Sequence, residues 1–414
     1  MILSKQNKQV VVLYSSTFLS VAVGVMVSVL NTRSLNPEGY GDYQYVHNII
    51  NFIAGFLLFG YFISGSRLLS ITESEKERRK IRGGMIAILF VASIALSIIL
   101  VITGLVYGVF LNKETDAYLL FWSILIGPNI LLINYINTTA QGDNHIIRMA
   151  VARLLPSVIY LVIAYFIYKA FGATPLRMLL LQGFIALIVY ITIILTTKPD
   201  FNGLKETFKL INNENKAYGF DVYVGSVANV ALAYLGTIAL GLINPNNTMV
   251  AFFTLAVTIS AHLQMLPSII GTVYFRRFAH ESKISDKVMW GTIGVTGISF
   301  ICYVILIHPL VGFLYDASYS IVSIYASFIA VGMCIQGFAD MINRFLGSHG
   351  KGKEIRNSAF ISGILQVFGN TVLVYLFDIN GAIIAKILGP LGMGVSLLIY
   401  YNRYIKSQSE YQLR

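Results

Sequence analysis

Twelve long apolar runs dominate this sequence and restrict what it can fold into. A transmembrane helix needs about 20 consecutive, mostly apolar residues. Each run reaches that length, and the segments that join the runs are short and polar. The sequence therefore predicts an all-α polytopic membrane protein with about twelve transmembrane helices. The runs cover residues 10–30, 43–65, 84–109, 118–138, 149–169, 178–197, 219–243, 248–274, 289–308, 319–342, 358–377 and 381–402.

Composition supports a membrane protein and argues against several other classes. The 414 residues are 56% hydrophobic and only 12% charged, whereas soluble domains carry about 25% charged residues. The net charge of +11 is spread over many loops rather than gathered in one patch, so nucleic acid is not an expected partner. Both cysteines lie inside apolar runs, and no Gly-rich phosphate loop is present. No metal site and no cofactor are therefore predicted.

Basic residues alternate between the two sides of the predicted bundle. The odd-numbered loops hold only Arg33, Lys113, Lys169 and Arg177, whereas the even-numbered loops and both tails hold most of the others. Loops rich in Lys and Arg stay in the cytoplasm. Both termini are therefore predicted to be cytoplasmic.

The two halves of the chain share a pattern of turn residues in their predicted loops. A shift of 208 residues places Asn36-Pro37 on Asn244-Pro245 and Gly142 on Gly350, and each pair falls on the same predicted side. An even number of spans in each half gives parallel repeats. We therefore expect two six-helix bundles around a central cavity. The predicted divisions are a first bundle at 1–197, a cytoplasmic linker at 198–218, a second bundle at 219–402 and a cytoplasmic tail at 403–414.

Four groups of short motifs occur in order along the chain: Thr32–Leu35 with Pro37–Gly41, Phe252–Ala256 with Leu266-Pro267 and Ile270-Gly271, Asp340–Arg344 with Gly350–Lys353, and Gly381–Ala385. Together they resemble bacterial polysaccharide flippases of the O-antigen type, within the multidrug/oligosaccharidyl-lipid/polysaccharide exporter superfamily. The resemblance implies a multi-pass protein of the bacterial plasma (inner) membrane. It also implies that the cargo is an undecaprenyl-pyrophosphate-linked oligosaccharide, moved from the inner to the outer leaflet. A polysaccharide polymerase or another protein of the same pathway is a candidate partner.

Two features depart from that family. Many relatives carry an acid in the middle of the seventh span, but residues 233–237 of this chain contain none. Arg276-Arg277 stand where relatives often have a proline. Ion coupling through an acid in mid-span is therefore not expected here.

Basic residues inside or at the ends of the spans are the predicted substrate-binding groups, because arginine pairs well with phosphate oxygens where water is scarce. The candidates are Arg33, Arg67, Arg153 and Lys386. Three of them have a simpler alternative. Arg33 and Lys386 could snorkel to the outer interface, with Glu38 or Asp42 as further partners for Arg33. Arg67 could be an ordinary cytoplasmic anchor.

Titratable groups near the spans offer a second set of candidates. Asp221 and His262 are the possible ion-coupling residues, and His47 and His308 lie in or near spans as well. A histidine there could equally well serve as a hydrogen-bonding group between helices. Asp340 has Arg344 four residues further on, which predicts an ion pair within one helix.

Three functions are compatible with this pattern. The predicted function is a non-enzymatic flippase of lipid-linked oligosaccharides that works by alternating access in surface polysaccharide synthesis. A small-molecule or drug cation antiporter of the same superfamily is the alternative, although it would favour an acidic cavity. A membrane polysaccharide polymerase is a third possibility, but the outer loops are short and lack paired carboxylates. No catalytic residue is therefore predicted.

Overall fold

The structure is a computed structural model. It describes the backbone of residues 5–412 and the side chains of residues 19–408, except those of 146, 221, 225–231 and 276. Helices make up nearly all of the described chain, and no strand occurs within it. The prediction of an all-α protein is confirmed.

The first half of the chain contains nine helices in the described residues. They are α1 (Lys5–Ser34), α2 (Pro37–Phe56), α3 (Tyr61–Ile71), α4 (Glu75–Leu105), α5 (Glu114–Ser123), α6 (Asn129–Gly142), α7 (Ile146–Phe171), α8 (Pro175–Thr196) and α9 (Leu204–Glu214). Helix α4 continues into a π-helical turn at Val106–Phe110, and another, Asn215–Gly219, follows α9.

Seven helices follow in the second half. They are α10 (Phe220–Ile243), α11 (Thr248–Ser260), α12 (His262–Phe278), α13 (Asp286–Leu314), α14 (Val322–Ser348), α15 (Gly352–Phe368) and α16 (Val374–Gln412). A π-helical turn at Gly369–Leu373 joins α15 to α16. Within α16, Asp378 alone has non-helical angles (φ 51°, ψ −132°). This kink lies in the predicted loop at 378–380.

Each of the twelve apolar runs lies on a helix or on consecutive helices. Seven helical segments of the described chain are long and apolar enough to cross a membrane, or eight if α2 and α3, bent by 63°, form one span. This confirms a polytopic membrane protein. The count of twelve crossings and the cytoplasmic placement of both termini stay predictions.

Two predicted continuous spans are interrupted. Span 43–65 breaks between α2 and α3, where Phe59 and Gly60 adopt positive φ values of 44° and 79°. Span 118–138 breaks before Asn129, where turns replace the helix and Pro128 has no N–H to donate. Span 248–274 continues through α11 and α12, because Ala261 between them keeps helical angles (φ −58°, ψ −23°). Periodicity did not reveal these breaks, because apolar residues continue through them.

The chain divides into two compact units, Met1–Tyr234 and Leu235–Arg414. In the first unit α1 packs on α7, α7 on α8 and α3 on α6; in the second, α14 packs on α12 and on α16. The predicted division into two six-helix bundles with a linker at 198–218 stays a prediction. That linker region holds the helix α9.

Candidate functional site

Three arginines converge on the carboxylate of Asp143, directly after α6. The side chain of Asp143 is completely buried. Its oxygens accept hydrogen bonds from Arg78 at 2.8 Å, from two nitrogens of Arg82 at 3.0 Å each, and from Arg148 at 3.2 Å. Bidentate contacts of this kind are among the stronger polar interactions in proteins. We call these residues, together with Glu75 and Arg79, the arginine cluster.

Local structure explains why the cluster forms. Arg78 and Arg82 lie four residues apart on α4 and therefore share a face. Asp143 ends up beside that face because the tip of α6 lies tightly against α3. A Cβ on Gly142 would lie 2.4 Å from the carbonyl oxygen of Ser66, so only glycine permits this approach.

The cluster joins segments that are far apart in the chain. Arg82 also donates to Glu75 at 2.8 Å and to the carbonyl of Thr197, after α8, at 3.1 Å. Asp143 lies in one predicted cytoplasmic loop, Arg82 in a second and Thr197 at the edge of a third. The structure thus brings together three segments that the basic-residue pattern assigns to the same side.

Positive charge exceeds negative charge in the arginine cluster. Burial raises the pKa of the Asp143 carboxyl, but the hydrogen bonds and charges of Arg82 and Arg78 outweigh that effect, and the pKa lies below its usual value. Asp143 is therefore ionised at neutral pH. The four arginines still outnumber the two carboxylates, which are Glu75 and Asp143.

An open groove lies beside the arginine cluster. It has a volume of about 820 Å³, and Lys76, Arg79 and Lys198 contribute its cations. The backbone N–H of Asp200 donates to the carbonyl of Arg79 at 3.0 Å, and this bond holds the segment after α8 against α4. The Nε of Arg79 is buried and forms an ion pair with Glu75 at 3.8 Å. The three cations of the groove exceed its two acids, Glu75 and Asp200, so the groove can hold an anion.

The predicted substrate-binding residues of the first unit lie apart from one another. Arg33 is exposed in the last turn of α1, and Arg153 is exposed in the second turn of α7. The contact between Tyr160 and Asn31 at 2.6 Å fixes the alignment of these helices. At 1.5 Å per residue, Arg153 lies roughly 10 Å along α7 from that contact. The two arginines therefore do not form one site with each other in this structure.

The other two predicted cations have partners. Arg67, on α3, forms an ion pair with Glu214 and lies over the ring of Tyr218 at 4.9 Å. Lys386 is half-buried on α16 and also has an interaction within the chain. A Cβ on Gly332 would lie 2.3 Å from the backbone carbonyl oxygen of Lys386. Lys386 therefore lies at the close crossing of α14 and α16, and the substrate-binding role of both cations stays a prediction.

The structure describes the side chain of one of the two predicted ion-coupling residues. The side chain of Asp221 lies outside the described residues. His262 is the first residue of α12, directly after Ala261, and its Nε2 is buried without a hydrogen-bond partner among the described residues. This placement is compatible with a role in coupling, which stays a prediction.

Asp340 has partners other than the one predicted. Its carboxylate accepts hydrogen bonds from Gln264 at 3.1 Å and Gln336 at 3.0 Å. Among the described residues, Asp340 and Arg344 do not form an ion pair. Helical spacing alone predicted Arg344, but it did not account for Gln264 on the neighbouring α12, whose amide reaches the carboxylate.

Sequence reasoning missed a polar pocket inside the first unit. It has a volume of about 230 Å³ between α2, α8 and the break before α6, and its lining includes His47, Asn51, Asn129, Gln182 and Tyr190. Only His47 was a candidate from the sequence. Amide side chains within apolar runs are the signal that could have revealed the others, because polar groups in a span need partners or a ligand.

Solved structures with a similar fold are flippases and multidrug transporters. One is "Lipid II flippase MurJ, inward closed conformation", with a TM-score of 0.73, 15% identity, and coverage of 95% of this chain and 87% of that chain. Another is the MATE multidrug transporter DinF-BH, solved in complex with a ligand, with a TM-score of 0.66, 15% identity, and coverage of 95% and 96%. A third, an inward-facing MATE transporter of the MOP superfamily, gives a TM-score of 0.64, 14% identity, and coverage of 94% and 96%.

These likenesses confirm the predicted fold. A comparison with curated proteins finds no match. The profile of a family described as "Polysaccharide biosynthesis protein" matches residues 7–280, about two thirds of the chain. The chain therefore belongs to the polysaccharide biosynthesis protein family.

Proposed function

We propose that this protein moves a lipid-linked oligosaccharide from the inner to the outer leaflet of the bacterial plasma membrane by alternating access. The cargo in this proposal is a repeat unit on undecaprenyl pyrophosphate, destined for O-antigen or another surface polysaccharide. The observation that carries it is the excess of positive charge in the arginine cluster and its groove, on the side predicted to face the cytoplasm. Family membership supports the same proposal.

The chemistry of the cargo explains why such a surface would be useful. A pyrophosphate carries concentrated negative charge and must be held by protein groups before it leaves water. Arg82 and Asp143 neutralise much of each other's charge, so in this proposal Arg82 stabilises the fold and does not bind the cargo. Arg79 and Lys76 line the open groove and remain accessible to a phosphate group. The groove would therefore receive the cargo, and the buried pair would fix the helices around it.

The energy source in this proposal is an ion gradient or the consumption of product outside the cell. The sequence contains no ATP-binding motif of the Walker type. His262 and Asp221 stay the candidates for ion coupling. A polysaccharide polymerase or another pathway protein could take over the cargo at the outer face.

A drug cation antiporter is the second candidate, because DinF-BH, which has a similar fold, is a multidrug transporter. A cationic cargo favours unpaired acids inside the membrane. In the described part of the chain, Asp340 is a half-buried acid on α14, and two glutamine amides already donate to its oxygens. The charges therefore favour an anionic cargo.

Complementation tests the proposal directly. A bacterial strain that lacks its own flippase and carries the matching polysaccharide genes would receive this gene, and the lipid-linked intermediate would be extracted and quantified. We expect surface polysaccharide to return and the accumulated intermediate to fall. Persistence of the intermediate with normal amounts of protein in the membrane would exclude the proposal. Lower drug sensitivity without polysaccharide would instead favour the antiporter.

A further inference from the structure

We propose that the pocket between α2, α8 and the break before α6 binds one sugar residue of the transported glycan. This inference rests on the proposed function and assigns part of the cargo to a site within the first unit. The site is distinct from the arginine cluster, which would receive the phosphates. No residue of this pocket belongs to the arginine cluster.

The first argument is the absence of charge. Among the described residues, none of the side chains that line this pocket is an Asp, Glu, Lys or Arg. A pocket at membrane depth without a charge does not favour an ion, since its desolvation would not be compensated. The ligand is therefore expected to be a neutral group that forms hydrogen bonds.

The second argument is the unused hydrogen-bonding capacity of the lining. The amide nitrogen of Asn129 donates to the carbonyl of Gly183 at 2.7 Å, but its Oδ1 is buried and has no partner among the described residues. A buried acceptor without a partner destabilises the folded state. Such a group needs an explanation, and a hydroxyl donor in the pocket would supply one.

The third argument is the mixture of donors and acceptors. Gln182 accepts from the Tyr43 hydroxyl through Oε1, which leaves its N–H groups available, and Asn51 donates to the carbonyl of His47 at 2.8 Å, which leaves its Oδ1 available. Within the described chain, the Tyr190 hydroxyl and the His47 ring make no hydrogen bond. A metal cation would use only acceptors and an anion only donors. Sugar hydroxyls both donate and accept, so they match this set.

The volume of the pocket and its position along α2 and α8 fit a sugar ring. A volume of about 230 Å³ equals roughly seven waters of liquid at about 30 Å³ each, which is the space of one pyranose ring with its hydroxyls. Ile126, Ile130 and Leu179 provide an apolar wall for the C–H face of such a ring. His47 and Gln182 lie well inside α2 and α8. Transporters commonly bind cargo near the bilayer midplane, beside interrupted helices.

Cysteine protection tests the pocket without requiring transport. Cys302 and Cys334 are first replaced by Ser, and Ala186→Cys then places a thiol on the pocket wall. Thr192→Cys, on the same helix but lining another groove, is the matched control. The purified variants, in lipid nanodiscs without sugar detergents, are labelled with a small methanethiosulfonate. The probes are glucose, galactose, mannose and N-acetylglucosamine at up to molar concentrations.

We expect at least one of these sugars to slow labelling at Ala186→Cys and to leave Thr192→Cys unchanged. Asn129→Leu and Gln182→Leu should each raise the protecting concentration about tenfold, the effect of one lost hydrogen bond. Asn134→Leu on α6, outside the pocket lining, should not change it. Equal protection at both thiols, protection that survives both substitutions, or no protection by any sugar would overturn the proposal. Failure of any reagent to label Ala186→Cys would also overturn it.

The outcome separates this proposal from the proposed function. Sugar protection in a protein that fails to complement a flippase-deficient strain would support the pocket and exclude the flippase. Complementation by the wild type without any sugar protection would support the flippase and exclude the pocket. In the complementing strain, Asn129→Leu should reduce polysaccharide about tenfold relative to Asn134→Leu at equal membrane abundance.

Discussion

The side-chain amide of Asn215 donates a hydrogen bond to the backbone carbonyl of Phe59 at 3.0 Å, across the break between α2 and α3. The same side chain accepts from the hydroxyl of Ser64 at 3.1 Å. A second bond, from Tyr223 to the carbonyl of Phe56 at 2.8 Å, caps the end of α2. The break therefore depends on groups that lie more than 150 residues away in the chain.

Asn215→Ala should destabilise the protein through this break. It removes the partner of the Phe59 carbonyl, which costs about 1–3 kcal/mol, while the Ser64 hydroxyl keeps its bond to the carbonyl of Gly60. Thermal unfolding of the purified protein in detergent measures the effect. Asn213→Ala, at an exposed position on α9, is the control and should change stability little. Equal effects of the two substitutions would show that the bond contributes nothing.

Gly60→Ala should be more harmful than Gly203→Ala, although both glycines are left-handed, with φ values of 79° and 71°. A Cβ on Gly60 would lie 2.4 Å from the backbone carbonyl oxygen of Gly219, whereas the nearest atom to a Cβ on Gly203 is a carboxylate oxygen of the exposed Glu206 side chain, at 3.3 Å. Both variants carry the cost of a left-handed alanine, roughly 1–2 kcal/mol, but only Gly60→Ala adds a clash with the backbone. Unfolding temperatures and the yield of folded protein compare the two. Equal losses of stability in the two variants would mean that the backbone at the break shifts enough to relieve the clash.

Asp143→Asn should lower stability strongly, by about 3–5 kcal/mol, because it leaves the buried Arg82 without its main counter-charge. Asp286→Asn removes an exposed pair with Lys283 and should cost no more than about 1 kcal/mol. Thermal unfolding of both variants at neutral pH provides the comparison. A loss no greater than that of Asp286→Asn would contradict the assigned role of the arginine cluster.

Stability should also fall in acid because of Asp143. Its folded pKa lies below its usual value, so its contribution is fully present above the unfolded pKa of about 3.9. The contribution is lost as the pH falls through the lower, folded pKa. Unfolding temperatures between neutral pH and pH values below about 4 should decrease more steeply in the wild type than in Asp143→Asn. Parallel pH profiles would contradict this prediction.

Arg33→Ala and Arg153→Ala should each reduce surface polysaccharide while the protein remains in the membrane. A charge-assisted hydrogen bond to a phosphate contributes about 1.5–3 kcal/mol, so a loss of roughly tenfold to hundredfold is expected. Arg177→Ala is the control, because the Arg177 side chain donates to the nearby carbonyls of Phe171 and Gly172. Full polysaccharide production by Arg33→Ala and Arg153→Ala would remove both residues from the predicted cargo path.

Both tails should face the cytoplasm. In a variant without Cys302 and Cys334, Ser4→Cys and Ser409→Cys should not react with an impermeant thiol reagent in intact cells. Ser318→Cys, in a predicted outer loop and exposed, should react. Labelling of either tail in intact cells, confirmed by lysed-cell controls, would reverse the predicted orientation.

The sequence by itself determined the all-α membrane class. Apolar runs of about 20 residues need no long-range partner to become helices in lipid, because each helix satisfies its own backbone. The motif Asn36-Pro37 also behaves locally, since the Asn36 side chain accepts from the N–H of Gly39 at 2.7 Å and caps α2. In the similar motif of the second half, the Asn244 side chain has a distant partner, since it donates to Asp378 at 2.7 Å.

Only the tertiary structure decided which polar groups are used by the fold and which remain open. Arg67 is a predicted cargo residue or anchor, and only the structure revealed its ion-pair partner Glu214, far along the chain. The carboxylate of Asp340 accepts a hydrogen bond from the amide of Gln264 on a neighbouring helix. The Oδ1 of Asn129 was left without a partner among the described residues because its amide turns toward Gly183. Hydrophobic periodicity places a residue on a helix, but the partner of a polar side chain depends on which helices pack beside it.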